Sequence, residues 1–190
     1  MSSVVLSGDS SGSVTLTVPS AAGTNTATVP AQTGTLQMLG QGTSVATTSG
    51  TSVTFSSIPS WVKKVTVMLQ GVSTSGTSNL LIQLGSGSVT STGYSSNAST
   101  GGTVANSTAG MLMTGVLVAA NNYSGIYTIA TLGSNVWAAS GVTANNTTTS
   151  TTALGGGSVT LSGTLDRVVI TTVNGTDTFD AGSVNILYEG

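Results

Sequence analysis

Residues 51–85 read TSVTFSSIPSWVKKVTVMLQGVSTSGTSNLLIQLG. Val53 and Phe55 alternate with polar residues, Pro59 interrupts, a second extended run covers about residues 62–70, and NLLIQLG (79–85) follows a Gly/Ser turn. Alternation of apolar and polar residues marks a half-buried strand, and two such runs parted by a short Gly-containing segment predict a hairpin. No helical period competes with this reading anywhere in the chain.

Reading outward toward the C-terminus, GMLMTGVLVAA (110–120) and YSGIYTIATLG (123–133) predict two strands with an Asn-Asn turn between them. NVWAASGV (135–142) predicts a short strand, SVTLSGTLDRVVITTVNG (158–175) one or two more, and GSVNILYEG (182–190) the last. About eight strands with Gly-rich turns predict an antiparallel β-sandwich of jelly-roll-like form. The intervening stretches 95–110 and 143–157 are rich in Ser, Thr, Asn and Gly and read as long loops, of the kind that carry function.

Toward the N-terminus the character changes. GQGTSVATTSG (40–50) reads as a joint. Before it, SVTLTVP (13–19) places Val14, Leu16 and Val18 on one face and Ser13, Thr15 and Thr17 on the other, and Pro19 ends the strand. TATVP (26–30) repeats the pattern and GTLQML (34–39) follows, with turn-like SAAGTN and PAQTG between them. The chain is therefore expected to divide into an extended arm, 1–45, and a sandwich domain, 46–190. A thin ribbon without bulky aromatics buries too little apolar surface to fold alone. The arm is expected to be ordered by homo-oligomerisation, with Val14, Leu16, Val18, Val29 and Leu36 as its assembly and anchoring residues.

Composition supports strands and excludes several functions. Charged residues make up 4% of the 190-residue chain, against about a quarter in ordinary soluble domains. Thr and Val are abundant, and both prefer a pleated backbone. The three basic residues, Lys63, Lys64 and Arg167, are too few to neutralise a phosphate track, so no nucleic-acid partner is expected. No apolar run is long enough for a spanning helix, and no basic amphipathic helix occurs, so no membrane insertion is expected. The start MSSVVLSGDSSG lacks the pattern of a secretory signal, and synthesis in a cytoplasm without export is expected.

His and Cys are absent, which removes the commonest general base and the best thiol nucleophile. No enzymatic role and no cofactor are expected. Asp177 and Asp180, with Asn174 and backbone carbonyls, are the only candidates for a hard-oxygen Ca²⁺ site. Their spacing departs from the twelve-residue calcium loop, and the competing reading is a tight Asn-Gly turn capped by acids. Trp61, Lys63 and Lys64 form either an aromatic-cationic platform or a strand start whose Trp covers the core edge. Tyr94, Tyr123, Tyr127 and Trp137 are candidates for receptor or glycan contact, against the alternative of core or subunit packing. Asp166 and Arg167, as strand neighbours, are expected to point to opposite faces and to pair elsewhere.

Three stretches carry a resemblance. GSVTLTVPSAAGTNTATVPAQTGTL (12–36) resembles the N-terminal repeat of bacteriophage tail-fibre proteins. IPSWVKKVTVMLQGVSTSGTSNLLIQLG (58–85) and LDRVVITTVNGTDTFDAGSVNILYE (165–189) resemble a C-terminal β-domain of short phage virion proteins of that type. The resemblance implies a virion structural protein, usually a trimer, whose N-terminal region attaches to other virion proteins of tail or capsid and whose distal domain faces outward. Two roles follow as expectations: a short tail fibre in host adsorption, contacting a surface glycan, or a capsid decoration protein.

Overall fold

The computed structural model describes residues 3–7, 11–17, 20, 23–24, 37–119, 121–145 and 151–190. They fall into two units, Met1–Leu36 and Gln37–Gly190. All regular structure among the described residues is β.

In the first unit, β1 (Ser3–Ser7) pairs antiparallel with β2 (Ser13–Thr17). The alternating run 13–17 is thus a strand, but its partner is residues 3–7, which the sequence pattern did not single out.

The larger unit contains β3 (Leu39–Gln41), β4 (Val45–Ala46), β5 (Ser52–Ser56), β6 (Lys64–Thr74), β7 (Leu80–Ser86), β8 (Ser88–Val89), β9 (Ser95–Thr100) and β10 (Thr103–Ser107). It continues with β11 (Met111–Leu112), β12 (Tyr123–Gly133), β13 (Val136–Asn145), β14 (Thr151–Thr160), β15 (Arg167–Thr172) and β16 (Phe179–Glu189). A nine-stranded sheet runs β10-β9-β14-β13-β12-β6-β16-β3, with β4 also on β16; a five-stranded sheet runs β11-β7-β15-β5, with β8 on β7. Both sheets are antiparallel, and their apposed faces make a sandwich-like core. Val65, Val67, Tyr127 and Ile129 of the larger sheet share one buried cluster with Ile82, Leu84, Val168 and Ile170 of the smaller. Strand alternation accounts for it: β5 buries Val53 and Phe55 and exposes Ser52, Thr54 and Ser56.

Five expectations are corrected. Residues 40–50 are not a joint: β3 and β4 pair with β16, so the larger unit begins at Gln37 rather than 46. The runs 62–70 and 79–85 do not form a hairpin, because β6 lies in one sheet between β12 and β16 while β7 lies in the other between β11 and β15. Their turn is a crossover: β6 pairs with β12 and β16, and β7 with β11 and β15 as well as its sequence neighbour β8. Likewise β11 and β12 belong to different sheets. The supposed loop 95–110 is largely a hairpin, with Thr100 opposite Thr103 across Gly101 and Gly102 at φ 56° and 88°. Two central residues at positive φ match the twist of flanking strands, and glycine adopts them without strain. The C-terminal part of 143–157 is also strand, since β14 pairs along its length with β13 and along part of it with β9.

Candidate functional site

Among the described residues, β1 and β2 form a two-stranded sheet. Val4 lies opposite Leu16 and Leu6 opposite Val14, so four apolar side chains share one face, with Val5 and Thr15 on the other. Each of the four is more than half exposed. Of the expected assembly residues, Val14 and Leu16 are exposed on this face, and Val18, Val29 and Leu36 lie outside the described residues. Val4 and Leu6 share this face but were not singled out by the sequence pattern. Their signal was the short apolar run VVL, too brief to mark a strand without its partner.

The aromatic candidates for receptor contact are all in the core: Tyr94, Tyr123, Tyr127 and Trp137 are each at most 4% exposed. Their rings join the buried core, and the three tyrosine hydroxyls bond the backbone. Tyr94 Oη accepts from the Leu84 amide at 2.7 Å and donates to the Thr90 carbonyl at 3.0 Å, pinning the 87–94 segment onto β7. Burial pushes the Tyr94 phenol up to about 12, partly offset by the Leu84 hydrogen bond. Tyr123 Oη accepts from the Val118 amide at 3.0 Å. Tyr127 Oη donates to the Met113 carbonyl at 3.1 Å, and burial pushes its phenol well above the usual range.

Trp137 differs: its buried Nε1 has no hydrogen-bond partner among the described residues. An unpaired buried N–H costs about 1–3 kcal/mol. Trp137→Phe removes that donor while keeping most of the ring packing, so its net effect is expected to stay within about 1 kcal/mol. Trp137→Ala is expected to cost about 3–5 kcal/mol. Urea unfolding followed by circular dichroism separates the two, and equal losses would show that the N–H carries no penalty.

Asn174 and Asp177, among the metal candidates, lie in a hydrogen-bonded turn. Asp177 Oδ2 accepts from the Ser78 amide at 2.9 Å and Oδ1 from Asn174 Nδ2 at 2.6 Å. Asn174 Oδ1 in turn accepts from the Thr172 hydroxyl at 2.9 Å and the Thr176 amide at 3.0 Å. Both Asp177 oxygens are thus engaged by N–H donors, Asp180 is exposed on β16, and among the described residues no three His, Cys, Asp or Glu side chains gather.

Two ion pairs involve four of the charged residues. Lys64 pairs with Glu189 at 2.9 Å, while Trp61 packs against Tyr188 with ring centroids 5.8 Å apart at the core edge; Lys63 is exposed. Asp166 and Arg167 do pair, contrary to expectation, with Nε–Oδ1 at 2.7 Å and a second bond to Oδ2 at 3.1 Å. Asp166 precedes β15, so strand alternation does not govern it. The Arg167 hydrogen bond, helped by the Gly87 amide, holds the Asp166 carboxyl below the usual carboxylate range.

Concavities are shallow and weakly charged. A groove of about 400 Å³ is lined by Ser95, Asn97, Asn106 and Thr108, and one of about 450 Å³ by Thr54, Gln83, Thr171 and Asn174. A smaller cleft of about 230 Å³ lies between Lys63, Trp137 and Leu165. Hydroxyls and amides line both larger grooves, and such groups can donate and accept hydrogen bonds. No family model matches this chain, and no curated protein or solved structure is significantly similar to it, so the geometry above carries the functional reading.

Proposed function

We propose that this chain is a non-catalytic, self-assembling virion structural protein of a bacteriophage, in which the hairpin anchors and the sandwich is displayed. The observation that carries this reading is the exposed apolar face of Val4, Leu6, Val14 and Leu16. A two-stranded ribbon is marginal in water, and burying each such side chain stabilises by about 1.5–3 kcal/mol. Neighbouring copies, three in the reading adopted here, or a particle surface supply the missing cover. The strand order supports a jelly-roll-like domain: the chain passes repeatedly between the two sheets, and its first strands, β3 and β4, pair with its last, β16.

Within this reading the leading role is a short tail fibre for host adsorption, its open hydroxyl-lined grooves suiting a surface glycan. Capsid decoration is the second, favoured by a sandwich that starts at Gln37 directly after the arm. Copy number separates them: up to some tens per particle for a tail, hundreds for a decorated shell. Purified protein that neither binds host cells at saturation nor competes with phage would rule out adsorption.

Val14→Lys and Leu16→Lys test the anchoring directly. Each is expected to weaken assembly by about 10-fold or more, through the lost burial and an introduced charge, while leaving the sandwich folded. Light scattering that returns unchanged mass for both variants would remove the hairpin from assembly.

A further inference from the structure

The outer face of the larger sheet carries a feature that strand parity hides in sequence and register reveals. In β12, Tyr127 and Ile129 point into the core, so Ile126 points out. The register then aligns Val104 of β10, Ser99 of β9, Leu154 of β14, Val142 of β13, Ile126 of β12 and Met68 of β6 in one transverse row. Val104, Leu154, Val142 and Ile126 are between 44% and 60% exposed. The adjoining row, Asn97, Gly156, Ser140 and Thr128, consists of small or uncharged side chains that leave the face flat. β9, β10, β12, β13 and β14 contain no Asp, Glu, Lys or Arg, and the Lys64–Glu189 pair lies on β6 and β16, beyond them. A soluble sheet normally protects such a face with charges, and an apolar patch without them marks an interaction surface.

We propose that a second copy of this chain packs on this face with the same face, so that Leu154 of each copy lies near a two-fold axis. Two arguments select that occupant. A self-contact requires a patch that complements itself, and a row with neither sign of charge meets its own copy without repulsion. It offers nothing, by contrast, to steer or select a charged partner. The area also suffices: strands about 4.8 Å apart with a rise of about 3.3 Å per residue give the five strands a face of roughly 650 Å². Two such faces bury roughly 1,300 Å², within the range of about 1,200–2,000 Å² for stable interfaces. This surface deepens the assembly reading and rests on it, yet it is separate in sequence from the hairpin, and its two-fold pairs copies that belong to different hairpin-joined trimers.

The experiment uses the full chain. Leu154→Asp and the milder Ile126→Thr, both on exposed positions, are compared with wild type and with Leu16→Lys by sedimentation, with circular dichroism confirming the fold. Leu154→Asp is expected to raise the dissociation constant of one association step by about 100-fold, and Ile126→Thr to raise it less. Because the chain contains no cysteine, Leu154→Cys gives a single thiol. A bismaleimide with a spacer of about 10 Å, the distance between packed sheets, is expected to trap a covalent dimer. Thr54→Cys, outward on the smaller sheet, is expected not to be trapped. Unchanged association in folded Leu154→Asp and Ile126→Thr, or equal cross-linking at positions 54 and 154, overturns this surface and leaves the hairpin reading standing. Loss of association only in the face variants overturns the hairpin reading instead, and a wild type that stays monomeric overturns both.

Discussion

Tyr127→Ala is expected to destabilise the sandwich by about 3–5 kcal/mol, whereas Tyr127→Phe is expected to cost only about 1 kcal/mol. The ring is fully buried between Val67 on β6 and Gly141 on β13, its neighbours in register. Gly141 lies opposite Gly155 of β14, and a Cβ at Gly141 would strike the Tyr127 ring while one at Gly155 would strike its hydroxyl. The phenol therefore lies across two strands whose glycines leave room for it. Phenylalanine keeps the ring. It loses only the bond to the Met113 carbonyl, which still accepts from Thr143 Oγ1 at 3.1 Å. Tyr127→Phe combined with Thr143→Val strips that carbonyl of both donors and is expected to cost more than the two single changes together. Denaturant midpoints check all four variants; a phenylalanine variant as damaged as alanine would show that the hydroxyl, not the ring, holds the site. Against a typical total of about 5–15 kcal/mol, the alanine loss removes a large share of stability.

Alkaline unfolding is the second large effect. Unfolded tyrosines ionise near pH 10, whereas burial raises Tyr94 to about 12 and Tyr127 higher still. The folded state thus holds these protons after the unfolded chain has released them. Stability is fully present below about pH 10 and falls as pH rises through about 12, with a limiting slope of about 1.4 kcal/mol per unit for each tyrosine. Tyr94→Phe removes one contributor. Its urea midpoint is expected to be lower at neutral pH, because the Leu84 amide loses its acceptor, and to fall less steeply above pH 10. Parallel pH profiles for wild type and the variant would refute the assignment.

Strand identity was largely readable. Val14 and Leu16, Val53 and Phe55, and the runs near residues 62–70, 79–85 and 182–190 all lie in strands, because period-two alternation is a local property that burial on one face imposes. Two stretches misled for the same reason in reverse. Residues 95–107 and 151–157 have few bulky side chains, so they carry no alternation signal, yet their backbones pair with neighbours and their small residues admit Tyr127 and the Ser96 side chain. The four aromatics chosen as surface contacts were misplaced because parity says which side chains share a face but not which face is covered.

By itself, the sequence determined that the regular structure, all β among the described residues, is built of strands, that the N-terminal ribbon lacks bulk, and that catalysis by His or Cys is closed to the chain; these follow from composition and nearest-neighbour periodicity. Tertiary structure alone decided that β6 and β7 part into different sheets, that the aromatic rings face inward, and that Leu154, Val142 and Ile126 align across strands. Hydrogen-bonded register joins residues far apart in the chain, and no local pattern encodes which distant backbone a strand will choose.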